Sequence, residues 1–498
     1  MSELSRVNSL VDSIFSRVDH SIKQSNKNFL WKKYALANAR KVFHDGGIDI
    51  DYLVEYLINE EKKESPGKIH LASLEHRGLL MKALYNTIVE RVNEGYISES
   101  LILKIIDDRW GGDFFERITS SENRYHESYG RYPPGFVLIS PSKHCNLACT
   151  GCYASSTSRT KEHLDYDTVK RIIQESHDQW GARSVAISGG EPLMYRSDGK
   201  SILDMARELP FMYFKIYTNG TLITKDVAEE MASVANITPA ISIEGTEFDT
   251  DNRRGDGVYE KVMAAMELLR DAGVPIGVSI TATKFNIDTL LDDAFYDYLF
   301  DELKVTYGWI FEYMPIGRGV ETEMMPSPKE RRDLFELLDL QNKRGRFMCD
   351  FWSTSPSAEG CIAAGRSYGY LYINWNGDVV PCVFNPYSDT NIHNVFEDGG
   401  SLTDAVENSR LFQSLRKWQD GYGFRQGNNV KNYMAPCPIR DHYKDYKQIL
   451  VEVKASPIDE AAAVALSDPD YYKKMVKYGE EVEKQLKPVW NQRFCGRC

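Results

Sequence analysis

The 498-residue sequence has no uninterrupted apolar run long enough to span a bilayer, and charged residues interrupt its first twenty positions. These absences argue against a membrane-spanning helix and a signal peptide, so we expect a cytoplasmic protein. Basic residues are also in deficit, because 60 Lys and Arg face 72 Asp and Glu and give a net charge of −12. A protein that grips nucleic acid needs a basic face, so no nucleic-acid partner is expected.

A disulfide framework is not indicated either, because nine cysteines are few for a chain of this size and compartment. Three of them, Cys145, Cys149 and Cys152, stand at a CxxxCxxC spacing with no fourth cysteine nearby. A closed structural metal site normally takes four protein ligands, so three ligands leave one coordination position open. An open position is typical of a site where chemistry takes place. By itself, the spacing fits either zinc or an iron–sulfur cluster.

The N-terminal region, residues 1–130, predicts a helical domain. Segments 28–43 and 77–96 place apolar residues at three- and four-residue steps, and nothing there alternates as a strand would. A packing or capping module is the simplest function for such a domain.

The next region, residues 131–325, alternates six short β-branched or aromatic runs with amphipathic helical stretches. This alternation predicts an α/β fold with parallel strands joined by right-handed crossovers, either an open doubly wound sheet or a partial barrel. Residues 326–445 then form a cysteine-bearing region rich in aromatic and turn residues. Residues 446–498 form a charged helical tail that ends in CGRC, a CxxC spacing that could complete a cluster, form a redox pair or have no role.

In either α/β architecture, functional groups gather at the carboxyl ends of the strands. The cysteine loop follows the first predicted strand, and a GGEP segment that starts at Gly189 follows the second. Two adjacent glycines allow a backbone to approach a ligand closely, and Glu191 offers a negative charge for an ammonium group. Thr218 and Asn219 follow the third strand at the same edge. A tight turn before a helix is the alternative explanation of the two glycines.

Together, the CxxxCxxC motif and the GGEP motif at these strand ends resemble the radical S-adenosylmethionine superfamily. The resemblance covers roughly residues 134–325 and implies a partial, TIM-like (β/α)6 barrel. It implies that Cys145, Cys149 and Cys152 hold a 4Fe–4S cluster whose open iron binds S-adenosylmethionine. The segment from Ser188 to Glu191 would receive its amino group, and Arg254 would meet its carboxylate. The residues implied to bind this cofactor are Tyr153, Ser188, Gly189, Gly190, Glu191, Thr218, Asn219, Ser242 and Arg254.

The resemblance also implies the reaction. One electron from a low-potential donor, a flavodoxin or ferredoxin, enters the cluster and cleaves S-adenosylmethionine to methionine and a 5′-deoxyadenosyl radical. The radical abstracts hydrogen from an unactivated C–H bond of a small molecule, a lipid or a peptide. The barrel positions the substrate and excludes water and oxygen, so an oxygen-sensitive enzyme is expected.

The later cysteines resemble the opening of the SPASM or twitch extension, which binds auxiliary iron–sulfur clusters. Cys361 and Cys382 flank an NWNGD turn between two alternating runs, which predicts a β-hairpin over residues 370–382. Cys437 would be the third ligand. Because the dense CxxC group of the full SPASM pattern is absent, one auxiliary 4Fe–4S cluster is expected rather than two. Three buried thiols without a cluster are the alternative.

The fourth ligand of this auxiliary cluster has three candidates. Cys349 is favoured because its short tether to Cys361 has the smallest loop-closure cost. Asp441 stands where the full motif would place another cysteine, and a carboxylate can replace a thiolate. The terminal pair of Cys495 and Cys498 could fold back if the charged tail docks against the cluster.

Two classes of function follow from these motifs. The first is a radical S-adenosylmethionine enzyme, acting either on a small molecule or lipid, or as a peptide or protein maturase. The helical N-terminal region has no hairpin pattern, so it gives no support for the winged-helix peptide-binding module that such maturases often carry. The second class is a non-enzymatic iron–sulfur electron carrier or a zinc-stabilised interaction protein, which predicts no affinity for S-adenosylmethionine.

Overall fold

The computed structural model describes residues 50–64, 67–98, 101 and 114–495. The helix predicted over residues 28–43 and the last cysteine, Cys498, lie outside this part of the chain. Within it, no helix is long and apolar enough to cross a membrane.

Helices precede the first strand, which confirms the helical expectation for the described N-terminal residues. They are α1 (Ile50–Glu64), α2 (Leu71–Asn93) and α3 (Phe114–Tyr129). Helix α2 packs against the strands that follow, because its buried Leu80 and Ala83 share an apolar cluster with Ala240, Tyr307 and Phe347.

Six parallel strands joined by helices come next and confirm the partial (β/α)6 barrel. The strands are β1 (Phe136–Ile139), β2 (Ser184–Ile187), β3 (Tyr213–Thr218), β4 (Ile237–Ser242), β5 (Gly277–Ala282) and β6 (Tyr307–Glu312). The helices between them are α4 (Tyr166–Trp180), α5 (Ile202–Glu208), α6 (Lys225–Val234), α7 (Glu247–Arg254), α8 (Val258–Asp271), α9 (Ile287–Leu290) and α10 (Asp293–Asp297). Each strand pairs in parallel with the next along the chain.

Local sequence sets the ends of several helices. At the start of α4, the Asp165 carboxylate accepts a hydrogen bond of 2.8 Å from the Thr168 N–H, the usual N-cap arrangement. Beyond the end of α8, Gly273 has a φ of 73°, a left-handed conformation that glycine adopts without steric cost. The helical stretch after β5 is divided into α9 and α10, because the Asp292 carboxylate accepts a hydrogen bond from the Ala294 N–H and starts a new helix there.

The barrel sheet continues at both edges into the cysteine-bearing region. Strand β7 (Met348–Asp350) pairs in parallel with β6, and β8 (Tyr370–Ile373) pairs in parallel with β1. Strand β9 (Asp378–Val380) pairs antiparallel with β8 and confirms the predicted hairpin. The short strands β10 (Tyr387–Ser388) and β11 (Thr390–Asn391) follow, and β11 pairs antiparallel with β9. The strand order is β11-β9-β8-β1-β2-β3-β4-β5-β6-β7.

Aromatic side chains lie between the β7 and β8 sides of this sheet. Phe351, which follows β7, has its ring centroid 6.0 Å from that of Tyr370 on β8 and 5.9 Å from that of Phe384. The ring centroids of Trp352 and Phe384 are 4.9 Å apart. These rings bring the two ends of the open barrel into contact.

The remaining helices surround the sheet, and the last of them lie in the C-terminal tail. They are α11 (Pro328–Lys343), α12 (Ile392–Glu397), α13 (Leu402–Glu407), α14 (Arg410–Tyr422), α15 (Tyr443–Val453), α16 (Glu460–Ser467) and α17 (Pro469–Trp490), with β12 (Ser456–Pro457) paired to β10. In α17, Leu486 and Trp490 are buried in a cluster with Ala72 of α2 and Phe335 of α11. The tail therefore docks on the N-terminal helices and on α11.

Candidate functional site

A cavity of about 940 Å³ lies inside the barrel. Thiols from the two predicted cluster sites are part of its wall: Cys145, Cys149, Cys152, Cys361, Cys382 and Cys437. Leu80, Leu84 and Ile88 of α2 also line it, together with inward-facing residues of the barrel strands. One space therefore connects both sets of cysteines with the interior of the barrel.

The first set of thiols is surrounded by hydrogen-bond donors. The Leu147 N–H lies 3.4 Å from Cys145 Sγ, and Asn219 Nδ2 lies 3.8 Å from the same sulfur. Arg254 Nη1 lies 3.9 Å from Cys149 Sγ. Burial raises the pKa of Cys145 to about 12, and a bound cation would favour the thiolate form. The donors are placed to stabilise sulfur ligands of a metal centre.

The two glycines of the GGEP segment pack against the cysteine loop. The Gly190 N–H donates to the Ser142 carbonyl and the Glu191 N–H to the His144 carbonyl, both at 2.8 Å. A Cβ atom on Gly190 would lie 2.0 Å from the His144 oxygen, and one on Gly189 would lie 2.5 Å from the Ser142 oxygen. Both glycines also line the cavity. The two glycines therefore allow a close approach, as expected, but mainly to the backbone of the cysteine loop.

Glu191, predicted to bind an ammonium group, has a buried side chain that accepts hydrogen bonds, and its role at the cofactor stays a prediction. Its side chain is 1% exposed and is not among the residues of the cavity wall. It accepts hydrogen bonds from Thr218 Oγ1 at 2.7 Å, the Asn219 N–H at 2.8 Å and the Leu193 N–H at 3.1 Å. Burial raises the pKa of Glu191, and these hydrogen bonds oppose the rise. Glu191 and Thr218 thus tie the ends of β2 and β3 together behind the wall.

Other residues predicted to bind the cofactor do face the cavity: Tyr153, Ser188, Gly189, Gly190, Asn219, Ser242 and Arg254. The Tyr153 hydroxyl lies 2.9 Å from Ser188 Oγ and accepts a hydrogen bond of 3.1 Å from the Gly189 N–H. The aromatic residue after the third cysteine therefore fixes the GGEP segment relative to the cysteine loop.

A buried cluster of charges lies next to the cysteine loop. Arg254 Nε donates to Glu244 Oε1 at 2.7 Å, and Arg253 Nη1 donates to the same oxygen at 2.5 Å. Glu244 is fully buried, and its other oxygen accepts a hydrogen bond from the Thr281 N–H at 2.8 Å. Two cations share one carboxylate, which leaves a net positive charge beside Cys149 for an anionic ligand. Sequence reasoning named Arg254 alone, although Arg253 is the adjacent residue and Glu244 is only ten positions earlier.

The second set of thiols also comes together, as the sequence predicted for Cys361, Cys382 and Cys437. Burial raises the pKa of all three thiols, and the other two cysteines are among the groups that act on Cys382. The Tyr370 hydroxyl lies 2.9 Å from Cys382 Sγ. The Cys437 N–H donates to Asp441 Oδ2 at 3.2 Å, which fixes the turn that carries this cysteine.

Asp441, a candidate fourth ligand, has both of its oxygens engaged by arginines. Arg331 donates to Oδ1 at 2.7 Å and to Oδ2 at 3.2 Å, and Arg440 Nε donates to Oδ1 at 3.1 Å. Burial alone would raise the pKa of Asp441, but the two arginines outweigh it and hold the pKa well below its ordinary range. Arg440 Nη1 also donates to Glu312 at the end of β6 at 2.5 Å. Asp441 therefore joins the Cys437 turn to the barrel.

Cys349, the favoured fourth ligand, lines the same cavity as the other three but belongs to a different apolar cluster from Cys382 and Cys437. It lies on β7 in the apolar cluster that contains Leu80 and Tyr307. Burial raises the pKa of its thiol, and the groups that also act on it are Asp350, Lys215 and Thr354. The short segment between Cys349 and Cys361 does not determine where the Cys349 side chain points. Strand β7 turns that side chain towards the interior of the barrel. Cys495, the described member of the terminal pair, packs on the α17 cluster and is not among the residues of the cavity wall.

Sequence reasoning missed Lys215 of β3, which points into the cavity. Its Nζ lies 5.0 Å from the centroid of the Tyr307 ring and 4.8 Å from that of the Trp309 ring. Burial lowers its pKa to about 8, and the nearby Cys349 opposes that shift. The signal was present, because Lys215 and Tyr217 alternate with buried apolar residues in the run YFKIYT.

The arrangement of thiols fits a cluster better than a single ion. Among the described residues, no three His, Cys, Asp or Glu side chains converge closely enough to hold one metal ion. In a 4Fe–4S cubane, by contrast, each thiolate binds a different iron, so the sulfurs surround a larger group. Both sets of cysteines lie on the wall of an open space, as such a group requires.

Comparisons with known proteins agree with this geometry. A model of the radical SAM superfamily matches residues 139–297, and a model of an iron–sulfur cluster-binding domain, SPASM, matches residues 361–439. The first family implies a 4Fe–4S cluster with S-adenosylmethionine, and the second implies auxiliary iron–sulfur binding. The chain is 30% identical over 287 residues to mycofactocin maturase MftC of Mycolicibacterium smegmatis, covering 55% of this chain and 70% of that protein.

Two further matches cover different shares of the chains compared. The AdoMet-dependent heme synthase of Methanosarcina barkeri is 27% identical over 336 residues, which cover 62% of this chain and 92% of that protein. Among solved structures, SuiB of Streptococcus suis bound to S-adenosylmethionine is 20% identical with a TM-score of 0.45, covering 53% of this chain and 64% of that one. From the family models, the relative MftC and the shared motifs, this chain belongs to the radical S-adenosylmethionine superfamily.

Proposed function

We propose that this protein cleaves S-adenosylmethionine reductively and removes a hydrogen atom from a substrate bound inside the barrel. The observation that carries the proposal is the cavity whose wall contains both sets of three cysteines. A substrate in that space would lie within reach of both clusters, and the barrel would shield it from water.

The residues of the first site have separate tasks in this proposal. Cys145, Cys149 and Cys152 would hold the cluster. The net positive charge of Arg253, Arg254 and Glu244 would attract the cofactor carboxylate, and Asn219 and Ser242 would line its ribose side. Ser188 and the two glycines would meet its amino group, while Glu191 and Thr218 position this segment from behind. When bound, the cluster and S-adenosylmethionine supply the 5′-deoxyadenosyl radical that abstracts hydrogen.

We further propose that Cys361, Cys382 and Cys437 hold one auxiliary cluster. With Asp441 engaged by arginines and Cys349 on β7, neither of these candidates supports a fourth protein ligand within the described residues. The iron of the auxiliary cluster that has no protein ligand would then face the cavity, where a substrate can bind to it. In this proposal the chain has four regions: a helical region at 1–130, the barrel at 131–325, the auxiliary-cluster region at 326–445 and the tail at 446–498.

The electron would come from a low-potential flavodoxin or ferredoxin in the cytoplasm, since thiol-bound iron–sulfur clusters need a reducing compartment. The proposal is compatible with two classes of substrate, a small molecule or lipid and a peptide. The maturase MftC among the relatives favours a peptide precursor, and the heme synthase favours a small molecule.

The proposal is tested by anaerobic reconstitution with iron and sulfide, followed by dithionite and S-adenosylmethionine. We expect slow formation of 5′-deoxyadenosine, measured by chromatography, even without substrate. Cys149→Ala should abolish it, because one corner of the cubane loses its thiolate. Cys495→Ala is the matched control, since Cys495 lies outside the cavity wall, and it should cleave like the wild type. Cleavage that persists in Cys149→Ala would refute the assignment and would favour a carrier or structural role for the thiols.

A further inference from the structure

The charged residues of the cavity wall are all basic. Within the described part of the chain, they are Arg77, Lys215, Arg253 and Arg254, and the wall contains no Asp or Glu. A cavity of one charge sign selects for a ligand of the opposite sign, because low-dielectric walls strengthen the field inside it.

The three arginines already have partners. Arg77 donates to both Glu61 oxygens at 2.8 Å and to the Ser357 carbonyl at 2.7 Å. Arg253 and Arg254 share Glu244 at the cofactor end of the cavity. These arginines are therefore neutralised by carboxylates outside the wall, or they serve the cofactor site.

Lys215 differs from them. Among the described residues, no carboxylate or other hydrogen-bond acceptor lies within bonding distance of its ammonium group, which contacts the faces of Tyr307 and Trp309 and lies near the Cys349 thiol. Ring faces attract a cation but accept none of the three N–H donors in the way an oxygen does. A buried ammonium with unused donors that face an open space is a binding position for an anion.

The distance along β3 from Lys215 to the cysteine loop indicates how long a ligand that reaches both would be. Lys215, Tyr217 and Asn219 follow one face of the strand, and Asn219 reaches the cysteine loop through its amide. At about 3.3 Å per residue, the Lys215 backbone is about 13 Å below that of Asn219. Aromatic side chains, among them Tyr217 and Phe311, line the space between these two levels.

We propose that Lys215 binds the carboxylate of the substrate, and that this substrate is an acid with an apolar or aromatic body. The body extends from Lys215 towards the cysteine rim, where the C–H bond to be attacked would lie. This proposal rests on the proposed function, since it concerns the substrate of the same cavity. A single ammonium balances the single charge of a carboxylate, whereas a phosphate would call for several donors or an arginine fork.

The carboxylate could belong to a small-molecule acid or to the C-terminus of a peptide, and two pairs of probes separate these sources. The first pair is 3-phenylpropanoate and its neutral amide. The second is N-acetyl-phenylalanine and its amide, which present a peptide-like carboxyl end. Binding of each probe to the reconstituted protein is measured by calorimetry in the presence of S-adenosylmethionine.

The wild type should bind the acid of at least one pair about tenfold or more tightly than its amide, the effect of one charge-assisted hydrogen bond. Lys215→Met removes the ammonium and keeps the apolar stem, so acid and amide should bind alike. Lys215→Arg retains the charge and should keep part of the preference. Lys225→Met, at an exposed lysine of α6, is the matched control and should bind as the wild type does.

The pair that shows the larger preference identifies the source of the carboxylate. Equal binding of acids and amides by the wild type, no detectable binding of any acid, or a preference retained in Lys215→Met would overturn the proposal. Cleavage of S-adenosylmethionine by the wild type is measured in parallel. Its absence refutes the proposed function, whereas intact cleavage without an acid preference refutes only the role of Lys215.

Discussion

Replacing Gly190 by alanine should separate the GGEP segment from the cysteine loop. The added Cβ atom would lie 2.0 Å from the His144 carbonyl oxygen, whereas an ordinary contact starts near 3.4 Å. The two segments must therefore move apart by about 1.4 Å, the difference between these distances. No φ in the left-handed region is involved at Gly190, so the effect is one of contact alone.

The cost can be worked out from the contacts that this movement breaks. The hydrogen bonds from the Gly190 and Glu191 N–H groups, each 2.8 Å long, both connect these segments and would both be lost. Each contributes about 0.5–1.5 kcal/mol, and overpacking adds about 1–3 kcal/mol. Gly190→Ala should therefore lower the free energy of unfolding by about 2–6 kcal/mol and reduce the iron taken up on reconstitution.

Urea unfolding followed by circular dichroism measures the stability of the apo protein, and an iron assay after reconstitution measures cluster assembly. Gly421→Ala is the control, because a Cβ atom there meets nothing within 4 Å and the site is in helix α14. Alanine should stabilise that helix by about 0.5–1 kcal/mol. If Gly190→Ala unfolds at the wild-type urea concentration and binds the full amount of iron, the close approach does not hold the two segments together.

Two other substitutions test the buried polar groups. In Glu191→Gln, the new side-chain NH₂ group would face one of the present donors, Thr218 Oγ1 or the Asn219 N–H. The free energy of unfolding in urea should fall by about 1–3 kcal/mol, because that donor loses its acceptor. Weaker binding of S-adenosylmethionine by a fully stable Glu191→Gln would instead indicate direct contact with the cofactor. Arg331→Met leaves Asp441 without its main partner in a buried site and should lower the free energy of unfolding by about 3–5 kcal/mol. A wild-type melting temperature for Arg331→Met would show that Arg440 alone neutralises Asp441.

The sequence predicted the barrel well because its signals are local. Each strand is a short run rich in apolar residues, and several helices have a side-chain N-cap, as Asp165 does for α4. The cysteine loop and GGEP could be placed at one rim because parallel strands end at the same edge of a sheet. The hairpin over residues 370–382 was predictable from its turn residues and the alternating runs on either side of them.

The parts that sequence reasoning missed depend on contacts between distant segments. Nothing near Cys349 indicates that β7 pairs with β6 and turns this thiol towards Lys215. Asp441 looked like a ligand because its spacing fits the motif, whereas its partner Arg331 is 110 residues earlier in the chain. Glu191 was assigned to the cofactor because its motif is at the rim, and that role stays a prediction. Its burial could not be predicted, because burial depends on the packing of distant segments.

The pairing of β7 with β6 and of β8 with β1 has a consequence for how the protein must be handled and how it folds. A fragment that stops near residue 325 would leave the outer edges of β1 and β6 unpaired, and such exposed edges promote association between chains. The short strands β7 and β11 now occupy the ends of the sheet, and strands of that length offer little to another chain. Because β8 returns to β1 across more than 230 residues, the sheet is completed only after most of the chain has been synthesised. The sheet therefore reaches its final form only when the segment that carries Cys361 and Cys382 is already in place.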